Sequence, residues 1–139
     1  MPASPELLKS IEMFSAFTQE ELEKIAPLVQ PMKVMEGEIL AKRGQRARTF
    51  FIVIKGDFMI SFENGKAITL HNKGDIMGWS TLIAPFEYRG TVVALTNGEV
   101  LTLPGQEFYL LIQSDSALSN KIMIEINSII ASRTPYHEA

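Results

Sequence analysis

The chain lacks cysteine, holds only two histidines and one tryptophan, and sets thirteen Lys and Arg against sixteen Asp and Glu for a net charge of −3 over 139 residues. Without thiols there are no disulfides, thiolate nucleophiles, iron–sulfur clusters or thiolate metal sites. Two histidines cannot build a multi-histidine metal centre. A balance this close to neutral gives no bulk attraction to nucleic acid or to an anionic membrane. The longest unbroken apolar run, residues 50–54, is far too short to cross a bilayer. The start, Met-Pro-Ala-Ser-Pro-Glu, has neither the basic residues nor the apolar stretch of a secretory signal. A cytoplasmic protein that needs no metal or cofactor is the expectation.

What is present is a hydrophobic chain, 46% apolar, of a length that suits one domain with a real core. Leu7, Leu8, Ile11 and Phe14 recur at helical spacing, which predicts a first helix from Ser4 or Pro5 to about Phe14. Thr18-Gln19-Glu20-Glu21 reads as a capping box opening a second helix, which Pro31 would end. From Met32 to Leu103 the period falls to two and glycines punctuate short strands at about 32–35, 38–41, 49–55, 57–62, 67–71, 91–95 and 99–103. Glu63-Asn64-Gly65-Lys66 carries the Asn-Gly pair suited to a type I′ hairpin turn. Pro104 stops the sheet, a short helix follows through about Gln113, and a last helix begins at Asp115 or Ser116 and runs to about Ser132. The resulting organisation is one domain over 1–139: helical entry 5–30, β-roll 31–104, C-terminal helices 105–132 and a frayed tail 133–139. The fold class is mainly β with flanking helices, a double-stranded β-helix or jelly roll.

Gly74-Asp75-Ile76-Met77-Gly78-Trp79-Ser80-Thr81-Leu82-Ile83, then Tyr88-Arg89-Gly90-Thr91 leading into a strand, is the most informative stretch. It resembles the phosphate-binding cassette of the cyclic-nucleotide-binding domain family. Other matches lie in order along the chain: Gly37-Glu38-x-Leu40 with Gly44, and Phe51-x-Val53-x-x-Gly56. The resemblance covers about Leu8 to Ile130 and implies a regulatory, non-catalytic sensor domain. It also implies which side chains should meet the ligand, and two of them differ. Trp79 stands where the family has its ribose-binding Glu, and Tyr88 where it has its phosphate-binding Arg. In the transcription-factor members a helix-turn-helix domain follows the last helix. The sequence ends there, so direct DNA binding is not expected.

The candidate ligand-binding residues are therefore Gly78, Trp79, Ser80, Thr81, Tyr88, Arg89 and Thr91. Gly78 would let backbone approach a ligand. Trp79 reads either as packing that closes the pocket or as a face on which a planar ligand stacks. Arg89, one residue past the matched position, reads as solvent-facing or, through a bulge at Gly90, as the replacement guanidinium of a genuine cAMP or cGMP binder. Lys42, Arg43, Arg46 and Arg48 read as a solvated basic turn and His71 as a surface residue. No base is placed beside Ser80 or Thr81, so no catalytic residue is assigned. On the last helix Ile122, Ile126 and Ile129 form an apolar stripe, offered as a homodimer face or a contact for a separate protein partner. The leading expectation is a sensor for a small anionic or aromatic effector, with no membrane contact. The rivals are a ligand-free interaction module of the same fold and a small cupin-like enzyme.

Overall fold

The computed structural model describes residues 3–137. The entry is α1 (Pro5–Lys9), a 3-10 turn at Glu12–Phe14, α2 (Gln19–Ile25) and a 3-10 turn at Ala26–Leu28. The first helix is thus shorter than the spacing predicts. Ser10 ends it by donating its hydroxyl to the Leu7 carbonyl at 2.6 Å, a side-chain bond that competes with the helical ladder. Leu8, Ile11 and Phe14 reach the core regardless. The capping box forms as read: Glu21 N–H donates to Thr18 Oγ1 at 3.1 Å, and Thr18 N–H donates to Glu21 Oε1 at 2.8 Å. α2 ends before Pro31. Pro27 offers no N–H to extend the ladder, and Pro31 lies in a strand at the end of its sheet, where a missing donor is tolerated.

Eight strands make two antiparallel four-stranded sheets: β1 (Gln30–Val34), β2 (Ile39–Ala41), β3 (Thr49–Lys55), β4 (Phe58–Phe62), β5 (Ala67–Leu70), β6 (Ile76–Met77), β7 (Gly90–Ala94) and β8 (Gly98–Pro104). Their orders are β1-β8-β3-β6 and β2-β7-β4-β5. The fold class is the one expected. β3 explains the apolar run: Phe51 and Val53 enter the cluster inside the roll, whereas Phe50 and Ile52 join the cluster under the helices. A strand covered on both faces loses its alternation. The β4–β5 turn is not type I′. That turn needs positive φ at both central residues, and among the described residues only Phe86 and glycines have it; Gly65 lies at 85°. Gly65 N–H donates to Phe62 O and Phe62 N–H to Lys66 O, the pattern of a type I turn closed by a left-handed glycine.

α3 (Gly105–Ser114) and α4 (Ser116–His137) complete the chain. Asp115 caps α4 by accepting from Ala117 and Leu118 N–H, each at 3.1 Å. Two features of α4 depart from the sequence reading. It runs to His137 rather than to Ser132. The Ile122/Ile126/Ile129 stripe is not an open dimer face: Ile122 and Ile126 are 0% exposed within the chain's own core, and Ile129 is half-buried against it. The stripe is covered because the helical entry and the outer face of β3 also need an apolar partner.

The first half of α4 is pinned further. Lys121 Nζ donates to the buried Glu21 at 2.6 Å, and Lys24 Nζ to Asp115 at 3.1 Å. The Lys121 bond, then the Thr18 N–H, hold the Glu21 carboxyl below its usual value of 4.5. A lowered folded pKa contributes stability that is full above the usual value and lost as pH falls through the lowered one. Glu21→Gln is therefore expected to melt earlier than the unmodified protein at neutral pH. The gap should narrow as pH drops below the usual Glu value of 4.5, and melts with a gap independent of pH would contradict the assignment.

Candidate functional site

The site grows out of the turn between β5 and β6. Asp75 folds that turn on itself, its carboxylate accepting from His71 and Asn72 N–H at 3.2 and 2.9 Å. Its carbonyl and the Gly74 N–H bond to Val53, each at 2.8 Å. β6, absent from the sequence reading, pairs Ile76 with Ile52 and Met77 with Phe51. It delivers Gly78, at φ 82°, to the start of the 3-10 turn Trp79–Thr81. Only glycine suits Gly78: a Cβ would stand 2.8 Å from the Thr49 carbonyl and 3.4 Å from the Tyr88 ring. The close approach it permits is to β3, not to a cavity.

Tyr88 lies over this contact. It is 9% exposed. Its hydroxyl accepts from Thr49 N–H at 3.0 Å and donates to Thr49 O at 2.9 Å. Burial pushes its pKa above the usual tyrosine value. Trp79 and Ser80 are also buried, Trp79 in the cluster that holds Phe50 and Phe108. Arg89 is exposed, just ahead of β7.

Gly78, Trp79, Ser80, Tyr88 and Arg89 border one cavity of about 20 Å³. Thr81 and Thr91 do not. Thr81 donates its hydroxyl to the Gly78 carbonyl at 3.0 Å and borders a separate groove with Arg46 and Arg48. Thr91 accepts from Arg43 N–H at 3.1 Å. Gly90 does not open the cavity either, since the room it leaves is taken by Ile60 and Phe62.

Sequence reasoning missed one wall of the cavity. Arg133, from α4, is 7% exposed and borders it beside Trp79 and Tyr88. Its Nη2 donates to the Ile76 carbonyl. Burial pushes its pKa down to about 10, with Asp75 opposing the shift, so it stays charged at neutral pH. The signal was in the periodicity: the 122, 126, 129 spacing continues to 133, which puts a cation on the inward face.

Among the described residues no group of His, Asp and Glu could hold a metal ion, and no helix is long and apolar enough to cross a membrane. Residues 31–115 match the model of the cyclic nucleotide-binding domain, more than half of the chain and the whole cavity lining except Arg133. The chain belongs to that family. A relative from Rhodopseudomonas palustris, provisionally named a potassium channel protein, is 26% identical over 92% of this chain and 31% of its own length. The chain spans about a third or less of the curated relatives it matches.

Solved structures of the family share the fold at lower identity. A provisionally named cyclic nucleotide-binding protein from Geobacter metallireducens GS-15 superposes with a TM-score of 0.86 at 22% identity, covering 95% of this chain and 98% of that one. The regulatory subunit of a cAMP-independent protein kinase A from Trypanosoma brucei gives 0.76 at 16% identity, covering 91% and 44%. Within this cyclic nucleotide-binding fold Trp79 and Tyr88 are both turned into the protein.

Proposed function

We propose that this chain is a non-catalytic sensor module whose cassette receives a small anionic effector without the usual ribose and phosphate side-chain contacts of a cyclic nucleotide. The observation that carries this reading is the commitment of Tyr88. Its hydroxyl already serves both backbone groups of Thr49, so nothing at that position is left for a phosphate. Trp79 has no carboxylate with which to accept a ribose hydroxyl. Charge at the cavity is cationic, from Arg89 and Arg133, which favours an anion.

Each lost hydrogen bond to a charged group is worth roughly 1.5–3 kcal/mol, or about 10- to 100-fold in affinity. Isothermal titration with cAMP and with cGMP is therefore expected to give dissociation constants far weaker than micromolar, or no heat. A constant of a few micromolar that is lost in Arg89→Ala would instead make Arg89 the replacement guanidinium. One further observation favours a ligand-free module: the cavity is about 20 Å³, whereas ligand pockets run to roughly 300–1,000 Å³. A sensor must therefore open before it binds.

A further inference from the structure

The two ends of the β3–β8 pair carry charge of opposite sign. Thr49 pairs with Pro104 at one end and Lys55 with Glu99 at the other. At about 3.3 Å per residue, the seven residues of β3 hold those ends roughly 20 Å apart. Beside the Thr49 end, a groove of about 450 Å³ runs between the β2–β3 loop, the cassette and α3. Its apolar wall is Phe86, Tyr109 and the exposed Leu110, the two rings meeting edge to face at 5.4 Å. The Phe86 backbone, at φ 61°, is strained for a bulky residue, and such strain collects at functional sites. Ala47 N–H donates to the Phe86 carbonyl and Gly105 N–H to the Arg48 carbonyl, each at 2.7 Å, so the walls are fixed to one another. Arg46 and Arg48 form the rim, and among the described residues neither has an ion pair. Glu107 also borders the groove, and Glu87 faces Arg46 across a backbone bridge. Lys42 and Arg43, exposed on the same loop, leave this end with an excess of cations.

The turn between β1 and β2, at the Lys55 end, has the opposite character. Among the described residues five large apolar side chains are exposed; Met35, Ile39 and Leu95 are three of them, and Leu110 of the groove is a fourth. Met35 is 70% exposed and Ile39 51%. Gly37 N–H donates to the Ala94 carbonyl and Ala94 N–H to the Glu38 carbonyl, which sets Leu95 beside the turn. The turn is stiffened from both sides: Glu38 Oε1 accepts from Met35 N–H at 3.1 Å, and Glu36 N–H donates to Asn97 Oδ1 at 2.7 Å. The Glu36 carboxylate is left exposed, with no ion pair among the described residues. Lys33 and Lys55 flank Glu99 in the sheet, and with Glu36, Glu38 and Asp57 added this end is net acidic.

We propose that the protein associates head to tail with copies of itself: the acidic β1–β2 turn of one copy seats Met35 and Ile39 against Phe86, Tyr109 and Leu110 of the next, with Glu36 and Glu38 meeting Arg46 and Arg48. Each surface supplies what the other lacks. A guanidinium takes a carboxylate through paired hydrogen bonds, and tyrosine and arginine are the side chains that anchor interfaces. The two surfaces lie at opposite ends of one strand pair, so a single chain cannot join its own. The contact is heterologous: each added copy leaves one turn and one groove open, and growth stops only where a ring closes. The surfaces are small and their charges exposed, so the association is weak and sensitive to salt. It does not require an occupied cassette, so it stands or fails separately from the effector reading.

Sedimentation velocity from about ten micromolar to about one millimolar protein tests this, a span suited to a weak contact. At low salt the weight-average mass of the unmodified protein is expected to climb past that of a dimer, and at about 0.5 M salt to fall back. Two variants locate the contact. Arg46→Glu with Arg48→Glu makes the groove repel the turn, and Met35→Ser with Ile39→Ser removes the anchors of the turn. All four positions are exposed, so stability should change little, which melts of both variants check. Each variant alone is expected to stay monomeric across the range. Mixed in equal amounts, the two should form a species of two chains and none larger, because the mixture offers one intact turn per chain of the first kind and one intact groove per chain of the second. An unmodified protein that is monomeric throughout would overturn the proposal. Association that both variants leave unchanged would overturn it as well, and would put the contact on another face.

Discussion

Ile126→Asp is expected to leave the protein unfolded at room temperature. Ile126 is 0% exposed in the cluster that joins the helical entry, the outer face of β3 and both C-terminal helices. Removing its side chain from that cluster forfeits roughly 1.5–3 kcal/mol of burial. An unpaired carboxylate in its place adds a desolvation penalty of at least comparable size. Together they approach the roughly 5–15 kcal/mol that separates a domain from its unfolded state. The control is two residues away. Ile124 is 68% exposed, and Ile124→Asp should shift stability by about 0.5 kcal/mol or less. Circular dichroism melts of the two variants check this directly. A folded Ile126→Asp chain whose mass halves in light scattering would show instead that the stripe meets a second copy.

Trp79→Ala is expected to lower stability by roughly 3–5 kcal/mol, the usual range for truncating a large buried aromatic. Trp79 is 6% exposed and packs in the core cluster with one edge on the cassette cavity. The expected loss is large because β3 and α3 cannot collapse into the vacated volume. Phe50 and Phe108 already meet edge to face there, with ring centroids 5.3 Å apart. Urea titration of the variant measures the loss. A loss below about 1 kcal/mol would mean that Trp79 is a wall of open space rather than a core residue. Combined with a library of small acids that leaves Trp79 emission unchanged in the unmodified protein, a large loss would favour the ligand-free module.

The elements with strong local codes were legible. The capping box at Thr18 and Glu21, the strands bounded by glycine, the stop at Pro104 and the inward face of α3 need only neighbours in sequence. The cassette frame was legible through the ordered glycines. What escaped depended on distant chain. β6 has two residues, too few for a period, and exists because Phe51 and Ile52 lie alongside. Ile122 and Ile126 look like a surplus apolar face until the helical entry is placed against them. The turn at Asn64 was misread because a three-residue loop and a two-residue loop share the Asn-Gly signal. Arg133 was set aside as tail, since a buried cation near a chain end has no local signature beyond the continued spacing of α4. At the site itself, sequence named which residues surround the cavity better than it named where they point. Tyr88 and Gly78 serve the backbone of β3, and only their coordinates say so.

The Tyr88 hydroxyl acts as a surrogate strand for Thr49, giving and taking one hydrogen bond as a neighbouring peptide would. This makes reversion toward the family pattern chemically one-sided. An arginine placed there could donate to the Thr49 carbonyl, but a guanidinium has no lone pair to offer the Thr49 N–H. A phenylalanine would orphan both groups. Tyr88 is thus part of the scaffold of β3. An arginine placed there in one step would loosen the very edge on which the cassette is mounted, so β3 would have to be re-roofed first.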